Sequence, residues 1–186
     1  MLRRWRSRQP QDDEVVAIAT EELGGWLDDA IRPHVLGPGS DVAAGLEAWD
    51  WIDLTGKEQL FCSLFGHVFL EGDAGVWLLD PIDGSFERRW ADRAELVDDL
   101  RLEASQDEYL LAGIAIGAAN RGPQLGDRQI WAFTPPPITG GTFAVENLMA
   151  MDLEVGLHLA GQIHSQVRDL PPGTPISGFA IEDADQ

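Results

Sequence analysis

His158 and His164 are the side chains in this sequence that most invite metal or acid–base chemistry. They share one amphipathic stretch, but they stand six residues apart. A helix that holds zinc normally offers two histidines at i and i+4, on one face. A spacing of six turns the second by about 240°, onto a different face. Glu154 lies four residues before His158, and Arg168 four after His164, so each histidine has a partner for a surface or interface contact. We therefore expect no resident metal. A hydrolase using His164 or His158 with a nearby acid is the enzymatic alternative. Ser63, in Cys62-Ser63-Leu64-Phe65-Gly66, lacks the flanking glycines of a nucleophile elbow. Cys62 is the single cysteine, lies in an apolar run without a basic neighbour, and reads as a small buried side chain. No glycine cluster follows a strand and opens a helix in the way that cradles a phosphate, so no cofactor is expected.

The charge balance narrows the partners. The 186 residues carry 32 acidic and 13 basic groups, a net of −19. Arg3, Arg4, Arg6 and Arg8 take four of the basic groups, leaving 9 against the same 32 acids in the rest of the chain, a net of −23. Such a body repels phosphate backbones and anionic membranes, so neither direct nucleic-acid binding nor a membrane partner is expected. A basic protein is the complementary partner. The candidate faces for it are Asp28 and Asp29, and Glu95, Asp98, Asp99, Glu103, Asp107 and Glu108; a merely solvated face has the same composition. Seven tryptophans suit either a core or a protein-binding surface. No apolar run reaches the roughly 20 residues of a membrane span. Val15–Ala19 is too short for the core of an export signal, so a cytoplasmic protein is expected.

The elements that must position these groups follow from punctuation and periodicity. Residues 1–11 read as a flexible basic arm and 12–48 as a short helical segment. Within the latter, one helix runs to about Ala30, and a second is capped by Ser40 or Asp41 and reaches Trp49. Residues 49–186 read as one α+β domain. Apolar Gln59–Phe65 leads to strands at His67–Glu71, Val76–Asp80 and Ser85–Trp90, joined by tight turns into an antiparallel meander. Ala91–Glu103 reads as a helix. Ser105–Asn120 reads as another, capped by Ser105 with Glu108 three positions on, and buried nearly all round. Strands follow at Gln129–Phe133 and Asn147–Met151. Leu153–Asp169 is a helix capped by Asp152, with Val155, Leu159, Ile163 and Val167 as its inward stripe. Pro175–Ile181 reads as an edge strand. The fold class is α+β: an antiparallel meander covered by about three main helices.

Pro135–Ile176 is the most densely punctuated stretch. Pro135–Pro137 leads into Gly140-Gly141, a turn in which one glycine needs a positive φ. Glu146 and Asn147 follow, either holding that turn or lining a shallow site.

The stretch from Trp49 to Ile181 resembles the C-terminal domain of type VI secretion immunity proteins, which protect a cell against a DNase toxin. The segments that carry the resemblance are Phe65–Asp80, Pro135–Gly141, Val145–Asn147, Ala160–Val167 and Leu170–Ile176. The resemblance implies an α+β binding domain without catalysis. It marks Gly140, Gly141, Glu146, Asn147, Gln162, His164 and Gln166 as motif residues. The implied function is an acidic immunity protein that occludes a basic, nucleic-acid-degrading toxin. A stand-alone small-ligand or interaction module is the alternative.

Overall fold

A computed structural model of the protein describes residues 29–36, 40, 42–121, 124–171, 173–176 and 178–181. The basic arm at 1–11, most of the helix read at 12–30, Asp28 and the cap candidate Asp41 lie outside the described residues.

β1 (Glu58–Cys62), β2 (Val68–Gly72), β3 (Gly75–Asp80) and β4 (Ser85–Trp90) form a four-stranded antiparallel sheet in chain order. Gly72 pairs with Gly75 across a two-residue turn, the hairpin geometry that Asp73-Ala74-Gly75 favours. Both faces of this meander are covered, which is why its central strands are nearly continuous apolar runs. On one face Phe61, Phe69, Leu78 and Trp90 meet Leu96, Leu100 and Leu110, from α2 (Arg93–Leu100) and α3 (Glu103–Leu110). On the other, Val68, Leu70 and Leu79 meet Trp49, Leu153 and Leu157. These come from a short 3₁₀ turn after α1 (Ala43–Leu46) and from α5 (Leu153–Val167). The stretch read as a separate N-terminal segment joins these cores wherever it is described: Ile31 and Val42 are buried, and Val35 bridges Ser63.

A two-stranded antiparallel sheet, β5 (Gln129–Phe133) with β6 (Leu148–Asp152), stands beside the meander. Trp131 N–H donates to the Leu64 carbonyl at 2.8 Å and links the two sheets. Phe65, Trp131 and Phe133 pack there on Ala115 and Ala118 of α4 (Ala112–Ala119). The α+β architecture and the meander are as the sequence reads.

Several details differ. The helix read over Ser105–Asn120 is two helices, because Leu111 takes a left-handed φ of 52° between them. Asp107 Oδ1 accepts the Gly113 N–H at 2.8 Å and satisfies an orphan donor of α4 from within α3. Ser105 is not a cap: its hydroxyl donates to Asp99 Oδ1 at 2.7 Å, and α3 begins two residues earlier. Nor is α4 buried all round, since Ile116 is 55% exposed. Ser40 does not cap α1, whose N-cap is Val42 without a side-chain bond. Pro175–Ile181 forms no strand in its described residues.

The largest correction concerns α5. Asp152 caps it as expected, its Oδ1 accepting from the Glu154 and Val155 N–H groups. Its inward residues, however, are Leu153, Leu157, Gly161 and His164. Val155 is 50% exposed, and Val155, Leu159, Ile163 and Val167 are not the core stripe. The reason is steric. α5 crosses the α1 region so closely that a Cβ on Gly161 would come 2.7 Å from the Ala48 carbonyl oxygen, and one on Gly45 2.7 Å from Leu157 Cβ. Only small residues permit that approach, and they score as gaps in an apolar pattern.

Candidate functional site

Three clusters hold the candidate residues: a buried polar trio, an acidic ridge and an apolar pocket.

The trio is Ser63, His67 and Asp80, which the sequence reading did not bring together. β2 returns antiparallel to β1 through a Gly66 turn, and Val68 pairs with Leu79 of β3, so all three residues meet at one end of the meander. Ser63 Oγ lies 2.9 Å from His67 Nδ1, and His67 Nε2 lies 3.5 Å from Asp80 Oδ1. By residue type this is a nucleophile, a base and an acid. By geometry it is a staple. Ser63 Oγ accepts the N–H of Phe65 at 3.2 Å and that of His67 at 3.1 Å. Both lone pairs are thus used, which leaves the hydroxyl proton for Nδ1 whenever the ring is neutral. Ser63 is also fully buried, so no substrate carbonyl can reach it. Burial pushes the Asp80 carboxyl up. Attraction and a hydrogen bond from His67, with the N–H groups of Asp83 and Ile82, outweigh that and hold it down at about 2.

His164 and His158 are apart. His164 lies against the Trp49 ring, and its Nε2 is 3.0 Å from the Pro81 carbonyl oxygen. A Cβ on Gly84, which has a φ of 70°, would collide with its ring. Burial lowers its pKa, partly offset by the Pro81 carbonyl and Asp80. His158 Nε2 instead lies 2.8 Å from Gln162 Nε2. Among the described residues, no three of the side chains that bind metals converge. Cys62 is buried, which pushes its thiol far up from the ordinary value. Trp49, Trp90 and Trp131 are buried in the core, while Trp51 and Trp77 are half-buried.

The remaining motif residues shape the backbone. Gly140 has a φ of 94°, as the turn demands, and a Cβ on Gly141 would overlap the Pro135 carbonyl. Asn147 Nδ2 donates to Thr142 Oγ1 at 2.7 Å and holds the far end of this loop. Glu146 pairs with Arg121 at 3.2 Å. Its own backbone N–H and then Arg121 lower its pKa. Gln166 replaces a strand neighbour: its Nε2 donates to the Ala180 carbonyl and its Oε1 accepts the Ala180 N–H, at 2.8 and 3.0 Å.

The acidic ridge runs along α2 and α3. Seven carboxylates between Asp92 and Glu108 stand against Arg93 and Arg101. Both arginines are engaged by acids, Arg93 by Glu71 and Arg101 by Asp98. Several of the carboxylates also serve the fold. Glu95 accepts the Ala91 N–H at 2.6 Å, and Asp107 caps α4. Half-buried Asp99 accepts Trp90 Nε1–H at 2.8 Å and the Ser105 hydroxyl. Asp98, Glu103 and Glu108 project into solvent. Asp29, at the other candidate face, pairs with Arg32 at 3.5 Å.

The pocket, about 280 Å³, lies between α5 and the β5–β6 sheet, and periodicity alone gives no sign of it. The stripe misread as core supplies one wall, Leu159 and Ile163. Phe133, Met149 and Met151 supply the opposite wall, and Pro136–Ile138 of the proline loop overhang it. Phe65 and His164 line it too. Three of the segments that carry the family resemblance therefore converge on this hollow. The one advance signal was that apolar residues and prolines accumulate in Pro135–Ile163 beyond what one helix and one strand bury.

No family model matches the sequence, and no curated protein matches it. Among solved structures the chain is similar to Atu4351 from Agrobacterium tumefaciens, at 15% identity and a TM-score of 0.47, over 84% of this chain and 82% of that one. Among the described residues, no helix is long and apolar enough to cross a membrane.

Proposed function

We propose that the protein is a non-catalytic acidic binding protein that acts in the cytoplasm on a basic protein partner. The observation that carries this is the ridge along α2 and α3, whose seven carboxylates outnumber two arginines that acids already engage. Such a ridge repels phosphate backbones and attracts a groove built to hold them. Within that class, the type VI secretion immunity reading fits best: a toxin that degrades nucleic acid must present a basic groove, and an acidic protein can fill it, with steering that speeds association. The burial of Ser63 and the separation of His158 from His164 support a non-catalytic role. Co-expression with the product of the adjacent gene is the test. Complex formation with relief of that product's toxicity is expected; absence of both would remove the immunity reading. A second reading, a stand-alone small-ligand or interaction module, is favoured by the apolar pocket.

A further inference from the structure

The pocket beneath α5 lies apart from the acidic ridge and has a chemistry of its own. We propose that it is a binding site for a neutral, mainly hydrocarbon small molecule of about bicyclic size. The inference deepens the small-ligand reading and does not depend on the toxin reading.

Size comes first. An engineered cavity of about 150 Å³ lined by Leu, Ile and Phe takes benzene, and pockets for drug-sized ligands begin at about 300 Å³. At about 280 Å³ this pocket falls just under the second class, room for two fused rings or a branched chain of similar bulk. Chemistry comes second. The walls are aliphatic and aromatic carbon, thioether sulfur and proline rings. Among the lining residues His164 alone is titratable, and its Nε2 is engaged by the Pro81 carbonyl. A charged ligand would lose its hydration here without a partner, which disfavours it strongly. Construction comes third. Gly141 fits so tightly against Pro135 that the proline overhang is fixed from behind. On the helix side, Gly156 brings α5 so near β5 that a Cβ there would lie 2.7 Å from Ile130 Cδ1. The proline overhang is thus fixed by backbone contact and the α5–β5 approach closes the hollow at Ile130, so the pocket is bounded by regular elements and a braced loop, which limits the cost of opening it.

The sequence offers a convenient reporter. Its methionines are Met1, Met149 and Met151, and the last two line the pocket. With the full chain labelled at the methionine ε-methyl carbons, indole is titrated as the neutral probe and indole-3-acetate as its anionic counterpart. Saturable shifts of the Met149 and Met151 methyls with indole, absent with the anion at equal concentration, are expected. Ile163→Trp, which places an indole ring in the pocket from α5, should abolish the shifts. Leu159→Trp repeats the test from the next turn, and thermal unfolding of both variants confirms that they fold. No saturable shift with indole, equal affinity for the anion, or unchanged binding in both folded variants would overturn the proposal. Methyl shifts caused by the adjacent gene's product but not by indole would also overturn it, replacing the small molecule by a partner's side chain. Complex formation without indole binding leaves the function proposed above standing, so the two failures are distinguishable.

Discussion

The acidic ridge on α2–α3 and the apolar pocket beneath α5 depart from their sequence patterns in opposite directions. On the ridge, side chains that read as free charge are partly committed to the fold: Asp99 holds Trp90 and Ser105, and Asp107 caps the next helix. At the pocket, side chains that read as core face a hollow among the described residues: Leu159 and Ile163 line it instead of packing into the sheet. Counting charges therefore overstates the surface available for steering, and counting apolar residues overstates the core. What separates free from committed groups in both regions is backbone geometry. A left-handed Leu111 brings the α4 terminus to Asp107, and glycines at 45 and 161 turn α5 so that its more polar side faces in.

The strongest way to break this comparison is to charge both sides of α5. Leu157 is fully buried, so Leu157→Asp leaves an unpaired charge in the core, costs on the order of 3 kcal/mol or more, and should prevent cooperative folding. Ile163 is only half-buried at the pocket wall, so the short carboxylate of Ile163→Asp can turn to the rim and keep part of its hydration, and should cost roughly 1 kcal/mol. Urea unfolding of the two variants decides. Equal losses would return Ile163 to the core and close the pocket.

The second test addresses the buried trio. Asp80 is held at about 2, below the ordinary carboxyl value of 3.8, so the folded state binds its proton more weakly than the unfolded chain does. Its contribution is complete above about pH 4 and is lost as pH falls toward 2; the difference corresponds to about 2 kcal/mol. Asp80→Asn should remove that part of the acid dependence and lower stability at neutral pH by a similar amount. An unchanged acid-unfolding curve in the variant would show that the trio is not a staple.

The third test sharpens the ridge. Asp107→Ala uncaps α4 and should cost about 1 kcal/mol, in the range of lost helix caps. Asp98→Ala removes an exposed pair with Arg101 and should change stability by no more than about 0.5 kcal/mol. Thermal denaturation of the pair checks the division into carboxylates that bind the backbone and carboxylates that only pair at the surface; equal losses would erase it.

The meander was legible because each of its strands ends at a turn whose residue types demand that turn, as at Asp73-Ala74-Gly75 and Asp83-Gly84. The Gly140 turn was legible for the same reason. The inward face of α5 was not, because glycine and histidine carry the burial there, and periodicity scores only apolar side chains. The break at Leu111 was not, because a leucine in a left-handed conformation has no local signature. Ser63 and His67 flank the Gly66 turn while Asp80 ends β3, so the trio needs a local turn and a strand register together. The pocket needs three segments at once, so no single pattern discloses it.

The central claim is that the ridge steers a basic partner. Its most direct test is the rate of association with the adjacent gene's product, followed by stopped-flow fluorescence at increasing salt. The comparison is between the natural chain and a variant carrying Asp98→Asn, Glu103→Gln and Glu108→Gln, three exposed residues whose side chains cap no helix. For the natural chain the rate should fall as the ionic strength passes physiological values, where the Debye length shrinks below about 8 Å. The variant should associate more slowly at low salt and converge with the natural chain at high salt. No complex at any salt, or a rate indifferent to both salt and the three substitutions, would contradict the account.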